Sequence, residues 1–264
     1  MASMECESYY PDLKSTALRR RGLVGLTTSR ESDVPLTYLR AGSVASWGRR
    51  PPAFDAQRLR AHVAAGGGLL SLVASNCAAL TPRQPLFAEL RRLLGGRAES
   101  LGRCGRTAPW PSCAGGRPCS KHGALRLYPF YFAAENSAVT DYFTEKAFDA
   151  LEAGVVPIYF GAPNGHEFLP PGSAIFVDAQ LAARNLSGAA HVIAAQLLAL
   201  AADPHRYAEL LAWRRRPLDT AYAQRWAPFV GTKMHCRLCR YAYVRRHAAG
   251  NVSWDATEQF MYLV

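Results

Sequence analysis

The chain has 264 residues, of which 49% are hydrophobic and 19% charged, which excludes a disordered tail, a collagen and a coiled coil. That length supports one large or two modest domains around a real core. Its 31 basic residues, only four of them Lys, against 20 acidic ones leave a charge of +11. The planar, permanently charged fork of Arg suits a phosphate-bearing partner, although the same excess fits a chain whose composition simply runs rich in Arg and Ala.

The opening stretch Met1 to Lys14 has no basic-then-apolar signal pattern. No segment approaches the ~20 apolar residues of a membrane span, so the chain as written is expected to be soluble. Leu23 to Thr28 reads as a short buried strand, and Arg49-Arg50-Pro51-Pro52 as a break. Asp55 to Ala65 reads as a helix capped by Asp55, ended by Gly66-Gly67-Gly68. The apolar run Leu69 to Ala74 is expected of a parallel strand covered on both faces. A helix follows over Gln84 to Leu94, closed by Gly95-Gly96.

Gly102 to Gly123, rich in Cys, Gly, Arg and Pro, is expected to be a loop and the least ordered segment. Leu127 to Ala133 reads as a strand. Thr144 to Ala153 reads as a helix with Thr144 as cap and Gly154 past its end. Strands over Val155 to Phe160 and Ala174 to Val177 flank the turn Gly161 to Gly165. A long Ala/Leu helix over Ala189 to Ala202 stops at Pro204, and a second runs to Arg214. Strands alternating with helices in this way predict an α/β fold with a parallel sheet. Its ligands would sit beyond the carboxyl ends of the strands, where Ser75-Asn76-Cys77 and Glu135-Asn136-Ser137 fall.

The densest polar cluster, Glu135 through Lys146, lies between a strand and a helix start. Free N–H groups there attract phosphate. Lys146 offers a charge to a pyrophosphate, Glu145 an acceptor for ribose hydroxyls, and Asn136 and Tyr142 neutral hydrogen bonds. The same residues also suit an ordinary capped helix in which Thr144 and Glu145 serve the cap and Lys146 is solvated.

The order of these residues resembles the α-1,3-fucosyltransferase family. The resemblance rests on Glu135-Asn136, then Asp141-Tyr142-Phe143-Thr144-Glu145-Lys146, then Ala153-Gly154-Val155-Val156-Pro157 and Gly161-Ala162-Pro163. Ser32-Asp33-Val34-Pro35, Ser75-Asn76-Cys77 and Cys236-Arg237-Leu238-Cys239 agree with it, the last with the plant-type members that modify the core of N-glycans. The resemblance implies a Rossmann-like donor lobe of a GT-B glycosyltransferase with a partial second lobe. Residues 1–65 would be the remainder of the N-terminal acceptor lobe, expected to pack loosely, 66–232 the nucleotide-sugar lobe, and 233–264 a tail carrying C-x-x-C.

The implied reaction moves L-fucose from GDP-fucose to GlcNAc of a glycoprotein N-glycan in α-1,3 linkage, with inversion. It needs no cofactor and no metal for the chemistry. By position, Arg83 and Lys146 would meet the pyrophosphate, Glu145 the ribose, and Asn136 and Tyr142 would line the donor site. Arg83 also reads as a solvated residue at a helix start. The family's catalytic base is a carboxylate of the N-terminal lobe, most of which has no counterpart here, so no base is assigned. Membrane anchor and stem are likewise expected to lie outside this chain. A full-length parent would be a Golgi type II membrane protein with a lumenal catalytic region.

In that setting Cys236–Cys239 is a candidate disulfide, and Asn185 and Asn251 are candidate glycosylation sites within Asn-x-Ser sequons. C-x-x-C without a second pair is a weak zinc signal, and an inert pair of thiols stands beside the disulfide as a reading of Cys236 and Cys239. Two other readings stand beside the transferase. One is an inactive remnant that binds donor or glycan. The other is a basic nucleic-acid-binding module, supported by Arg19-Arg20-Arg21, Arg214-Arg215-Arg216 and Arg245-Arg246 but by no recognition motif, so nucleic acid is not an expected partner.

Overall fold

The computed structural model describes residues 2–5, 8–10, 12, 24–40, 42–218, 220–231 and 233–247. Cys6, Arg19 to Arg21 and Asn251 lie outside the described residues.

Short apolar runs bounded by glycine and proline build one sheet. Its strands are β1 (Leu70–Leu72), β2 (Ala98–Ser100), β3 (Phe130–Ala134), β4 (Val156–Phe160) and β5 (Ile175–Phe176). They lie in the order β2-β1-β3-β4-β5, and every neighbouring pair is parallel. Every residue of β3 and β4 is buried, as strands covered on both faces must be. The α/β class with a parallel sheet is therefore as expected. This order reverses direction between β1 and β3, and a crevice opens beyond the carboxyl ends of strands at such a point.

The helices are α1 (Ser43–Arg49), α2 (Ala56–Ala64), α3 (Arg83–Leu93), α4 (Lys121–Leu125), α5 (Glu145–Ala153), α6 (Ala179–Arg184), α7 (Leu186–Ala202), α8 (Pro204–Glu209), α9 (Thr220–Gly231) and α10 (Met234–His247). Local chemistry sets several ends. The Asp55 carboxylate accepts the Arg58 N–H at 2.8 Å, and the exposed Asn185 accepts the Gly188 N–H at 2.8 Å at the start of α7. Gly154 closes α5 with φ 73°, and a Cβ there would lie 3.0 Å from the Pro51 carbonyl. Only glycine meets both demands.

Four expectations are corrected. Leu23 to Thr28 forms no strand among its described residues; Leu26 alone makes an isolated parallel bridge, to Ala2. Gly102 to Gly123 is not loose. Two disulfides, Cys77–Cys104 and Cys113–Cys119, staple it, and Trp110 donates its indole N–H to the Cys119 carbonyl at 2.8 Å. The residues before Ala65 are tightly packed from Leu39 on. Trp47 is fully buried, stacks on Phe148 and meets Trp213 edge-on, and Phe54 and Leu59 join the same core. Finally, Cys236 and Cys239 form no disulfide and are exposed thiols on the continuous helix α10. Helical neighbours three apart hold their Cβ atoms ~5–6 Å apart, wider than the ~3.5–4.5 Å that a disulfide requires.

Candidate functional site

A cavity of about 360 Å³ opens at the β1/β3 reversal. Its floor is the chain leaving β1, Val73 to Asn76, and Asn136 just after β3. Arg83, Tyr142, Glu145 and Lys146 line it, so the five residues singled out in the sequence converge on one cavity. Lys121, Tyr38 and Glu5 complete its charged and aromatic wall.

Glu135 organises this wall. Its carboxylate is wholly buried and accepts the Thr144 N–H at 2.7 Å, the Thr144 hydroxyl at 2.7 Å and the Lys146 ammonium at 2.8 Å. The Thr144 side chain is thus spent on Glu135 and does not cap α5 as expected. Gly161 makes room for this arrangement, since a Cβ there would meet Glu135 Cγ at 2.5 Å. Lys146 also donates to Thr144 Oγ1 at 2.6 Å, which leaves one of its three donors for the cavity. Burial alone would lower the Lys146 ammonium, but Glu135 and Glu145 more than offset that and hold it above its ordinary value. It stands as a fixed, permanently charged cation.

Arg83 is only 2% exposed. It donates to the Ala134 carbonyl at 3.1 Å and to the Asn76 carbonyl at 2.5 Å, tying the ends of β3 and β1 together. Its Nε has no hydrogen-bond partner among the described residues. Burial lowers its pKa, with Glu135 working against that. The solvated reading of Arg83 is thereby excluded. Glu145, at the start of α5, is 37% exposed and lies 3.7 Å from the Lys121 ammonium. On the same face, Asp149 takes Lys121 at 2.6 Å and His122 at 3.0 Å.

Tyr142 bridges the site to the N-terminal segment. Its hydroxyl meets Asn136 Oδ1 at 2.7 Å and Glu5 Oε2 at 2.8 Å. Burial, then Glu5, pushes its pKa far up, so the phenol stays neutral. The residues leading into Glu5 are anchored by the Ser3 N–H on the Leu26 carbonyl at 2.9 Å and by the Tyr38 hydroxyl on the Met4 carbonyl at 3.3 Å. Arg30, four residues past Leu26, ion-pairs with Asp141 at 2.8 Å and Glu167 at 2.6 Å. Asp141 itself has φ 65°, a conformation that its short polar side chain tolerates. Among the described residues, no group of His, Cys, Asp or Glu could hold a metal ion, and no helix is long and apolar enough to cross a membrane.

The family model described as glycosyltransferase family 10 (fucosyltransferase), C-terminal part, matches residues 67–253. The chain belongs to this fucosyltransferase family. The match takes in all five strands and every cavity residue except Glu5 and Tyr38. The chain is 43% identical over 118 residues to an alpha-(1,4)-fucosyltransferase of Arabidopsis thaliana, covering 45% of this chain and 27% of that one. A fucosyltransferase-like protein of the same plant is 32% identical over 246 residues, 92% of this chain and 42% of its own. GDP-fucose protein O-fucosyltransferase 3 of Bos taurus is 32% identical over 196 residues, 71% and 38%. The chain thus spans less than half the length of these relatives.

A solved alpha1,3-fucosyltransferase with GDP-fucose superposes with a TM-score of 0.51 at 20% identity, over 73% of this chain and 53% of that one, and so shares the fold. In this chain the residues that sequence reasoning left out of the site are Glu5, Tyr38, Lys121 and Glu135. Glu135 stood in the motif, and its buried, triply bonded carboxylate was the missing signal. Glu5 carries no local signal, because its contact with Tyr142 spans 137 residues.

Proposed function

We propose that the chain binds GDP-fucose in the β1/β3 cavity and transfers L-fucose, with inversion, to a GlcNAc hydroxyl of a glycoprotein N-glycan in α-1,3 linkage. The carrying observation is the cavity itself: a preset Lys146 ammonium, the Arg83 guanidinium, Tyr142 and Glu145 on one wall, at the topological position where nucleotides bind. Lys146 and Arg83 suit the pyrophosphate, and Glu145 is exposed enough to accept from ribose hydroxyls.

As the bond between fucose C1 and the phosphate oxygen breaks, GDP gains negative charge, and cations fixed beforehand stabilise that charge without reorganising. The acceptor oxygen forms the new bond from the opposite face and must lose its proton. Glu5 supports the role of general base: its carboxylate faces the cavity, and Tyr142 steadies one oxygen. No step requires a metal. Relatives are named for α-1,3, α-1,4 and protein O-linked transfer, and the motif order is what favours the α-1,3 linkage to N-glycan. Two disulfides favour an oxidising compartment, which supports the reading of a lumenal Golgi domain. Asn185, exposed at its helix start, is a glycan site in the same reading.

The test is transfer from labelled GDP-fucose to a GlcNAc-terminated glycopeptide. Glu5→Gln is expected to lower kcat by ~10²–10⁴-fold while leaving GDP affinity within about threefold. A variant as fast as the parent removes Glu5 from the chemistry.

A further inference from the structure

The opposite end of the sheet carries a second cavity, of about 420 Å³. It lies at the amino end of β4, where the Ala53 N–H meets the Gly154 carbonyl at 2.8 Å. Arg49, Arg50, Arg214 and Arg215 line it, with a single carboxylate, Asp55, whose oxygen is engaged by the Arg58 N–H.

Arg214 is 5% exposed. It donates to the Leu151 carbonyl at 2.9 Å and to the Arg50 carbonyl at 3.2 Å, and its Nε is buried without a hydrogen-bond partner among the described residues. Arg126, just behind, donates to the Ala153 carbonyl at 2.7 Å. Those two arginines serve the carbonyls at the end of α5, where the helix dipole favours cations. That role does not account for the others. Arg50 has one partner, Glu152 at 3.0 Å. Arg49 and Arg215 are exposed, and neither side chain has a hydrogen bond or ion pair among the described residues. The cluster is self-repelling. Burial, with Arg126 and Arg50 adding to it, pushes Arg214 down to about 10, and burial with Arg58 and Arg50 lowers Arg126.

We infer that this arginine-lined cavity is a second anion site, built for a phosphate-bearing ligand. Guanidinium forks match phosphate oxygens in pairs, and a bound dianion would relieve the repulsion. The chemistry is shared by a soluble phosphate compound and a phospholipid headgroup. None of its lining residues lines the β1/β3 cavity, so the inference stands apart from the nucleotide-sugar reading.

Inorganic pyrophosphate is titrated calorimetrically into the full chain carrying Glu135→Gln/Lys146→Met, which disables the first cavity. Saturable binding is expected, weakening as salt rises. Adding Arg49→Ser/Arg215→Ser should weaken it at least tenfold, about the loss of one charge-assisted contact, with Tm unchanged. Cosedimentation with phosphatidylcholine vesicles carrying phosphatidylinositol phosphate then names the source. Arginine-dependent sedimentation assigns a headgroup, and its absence beside retained pyrophosphate binding assigns a soluble phosphate. No pyrophosphate binding, or binding that ignores the two arginines, overturns the inference. Loss of GDP binding alone, with this site intact, would count only against the proposed donor site.

Discussion

Two of the three donors on Lys146 are spent on Glu135 and Thr144, so the cation is oriented before any ligand arrives. The arrangement has a cost in the other direction. Removing Lys146 leaves Glu135 wholly buried with no cationic partner. Lys146→Ala is therefore expected to lose about 3 kcal/mol of stability, read as a Tm lower by several degrees. Glu135→Gln/Lys146→Met removes both charges and should recover most of that loss, because the deficit is an uncompensated charge and not lost packing. Equal Tm values for the single and double variants would show that the pair is not coupled.

Asp149 gives a pH signature at the same scale. Burial would raise its carboxyl, but His122 and Lys121 outweigh that and hold it below the ordinary 3.8. The folded state thus binds fewer protons here than the unfolded chain. The stabilisation is complete above pH 3.8 and is lost as pH falls through the depressed folded value. Asp149→Asn should cost about 1–2 kcal/mol at neutral pH, with a gap to the parent that closes below about pH 4 in urea titrations. A gap independent of pH would assign the effect to packing.

At the scale of elements, the Cys77–Cys104 disulfide ties the segment after β1 to the segment after β2, beside the Asn76 carbonyl that holds Arg83. Cys77→Ser/Cys104→Ser is expected to lose ~2–4 kcal/mol and to weaken nucleotide binding, because Arg83 loses a fixed anchor. Unaltered affinity in a destabilised variant would separate the staple from the site. The pairing could not be read from the sequence, since Cys77 and Cys104 approach only because β1 and β2 are neighbours.

The strands β1, β3 and β4 were legible as unbroken apolar runs, and α2, α3 and α5 from their glycine and Asp55 boundaries. The strand β2 was not: Ala98-Glu99-Ser100 has no apolar run, and pairing with β1 alone makes it a strand. The five-residue α4 and the helices α9 and α10 also escaped, the last two because their apolar spacing is interrupted by Arg, Gln and Cys. Cys236 and Cys239 misled for the reverse reason, since a spacing suited to a bridge fell within a continuous helix.

At the scale of the whole molecule, the strand order decides where chemistry happens. The reversal between β1 and β3 opens the crevice. The motif residues fill it from α5, and the N-terminal segment lines it with Glu5, which the Tyr142 hydroxyl meets at 2.8 Å. The family motif was readable because its residues are close in sequence. The contribution of Glu5 was not, because only the fold brings it there.

The central claim is that this crevice binds a guanosine diphosphate through Lys146. Calorimetric titration of GDP and of ADP into the parent and into Glu135→Gln/Lys146→Met tests it most directly. The account predicts saturable binding that prefers GDP, weakened by ~2–5 kcal/mol in the variant, or roughly thirty-fold to several thousand-fold, while the variant remains folded. Parent and variant binding GDP alike, or a parent that binds GDP and ADP equally well, would contradict it.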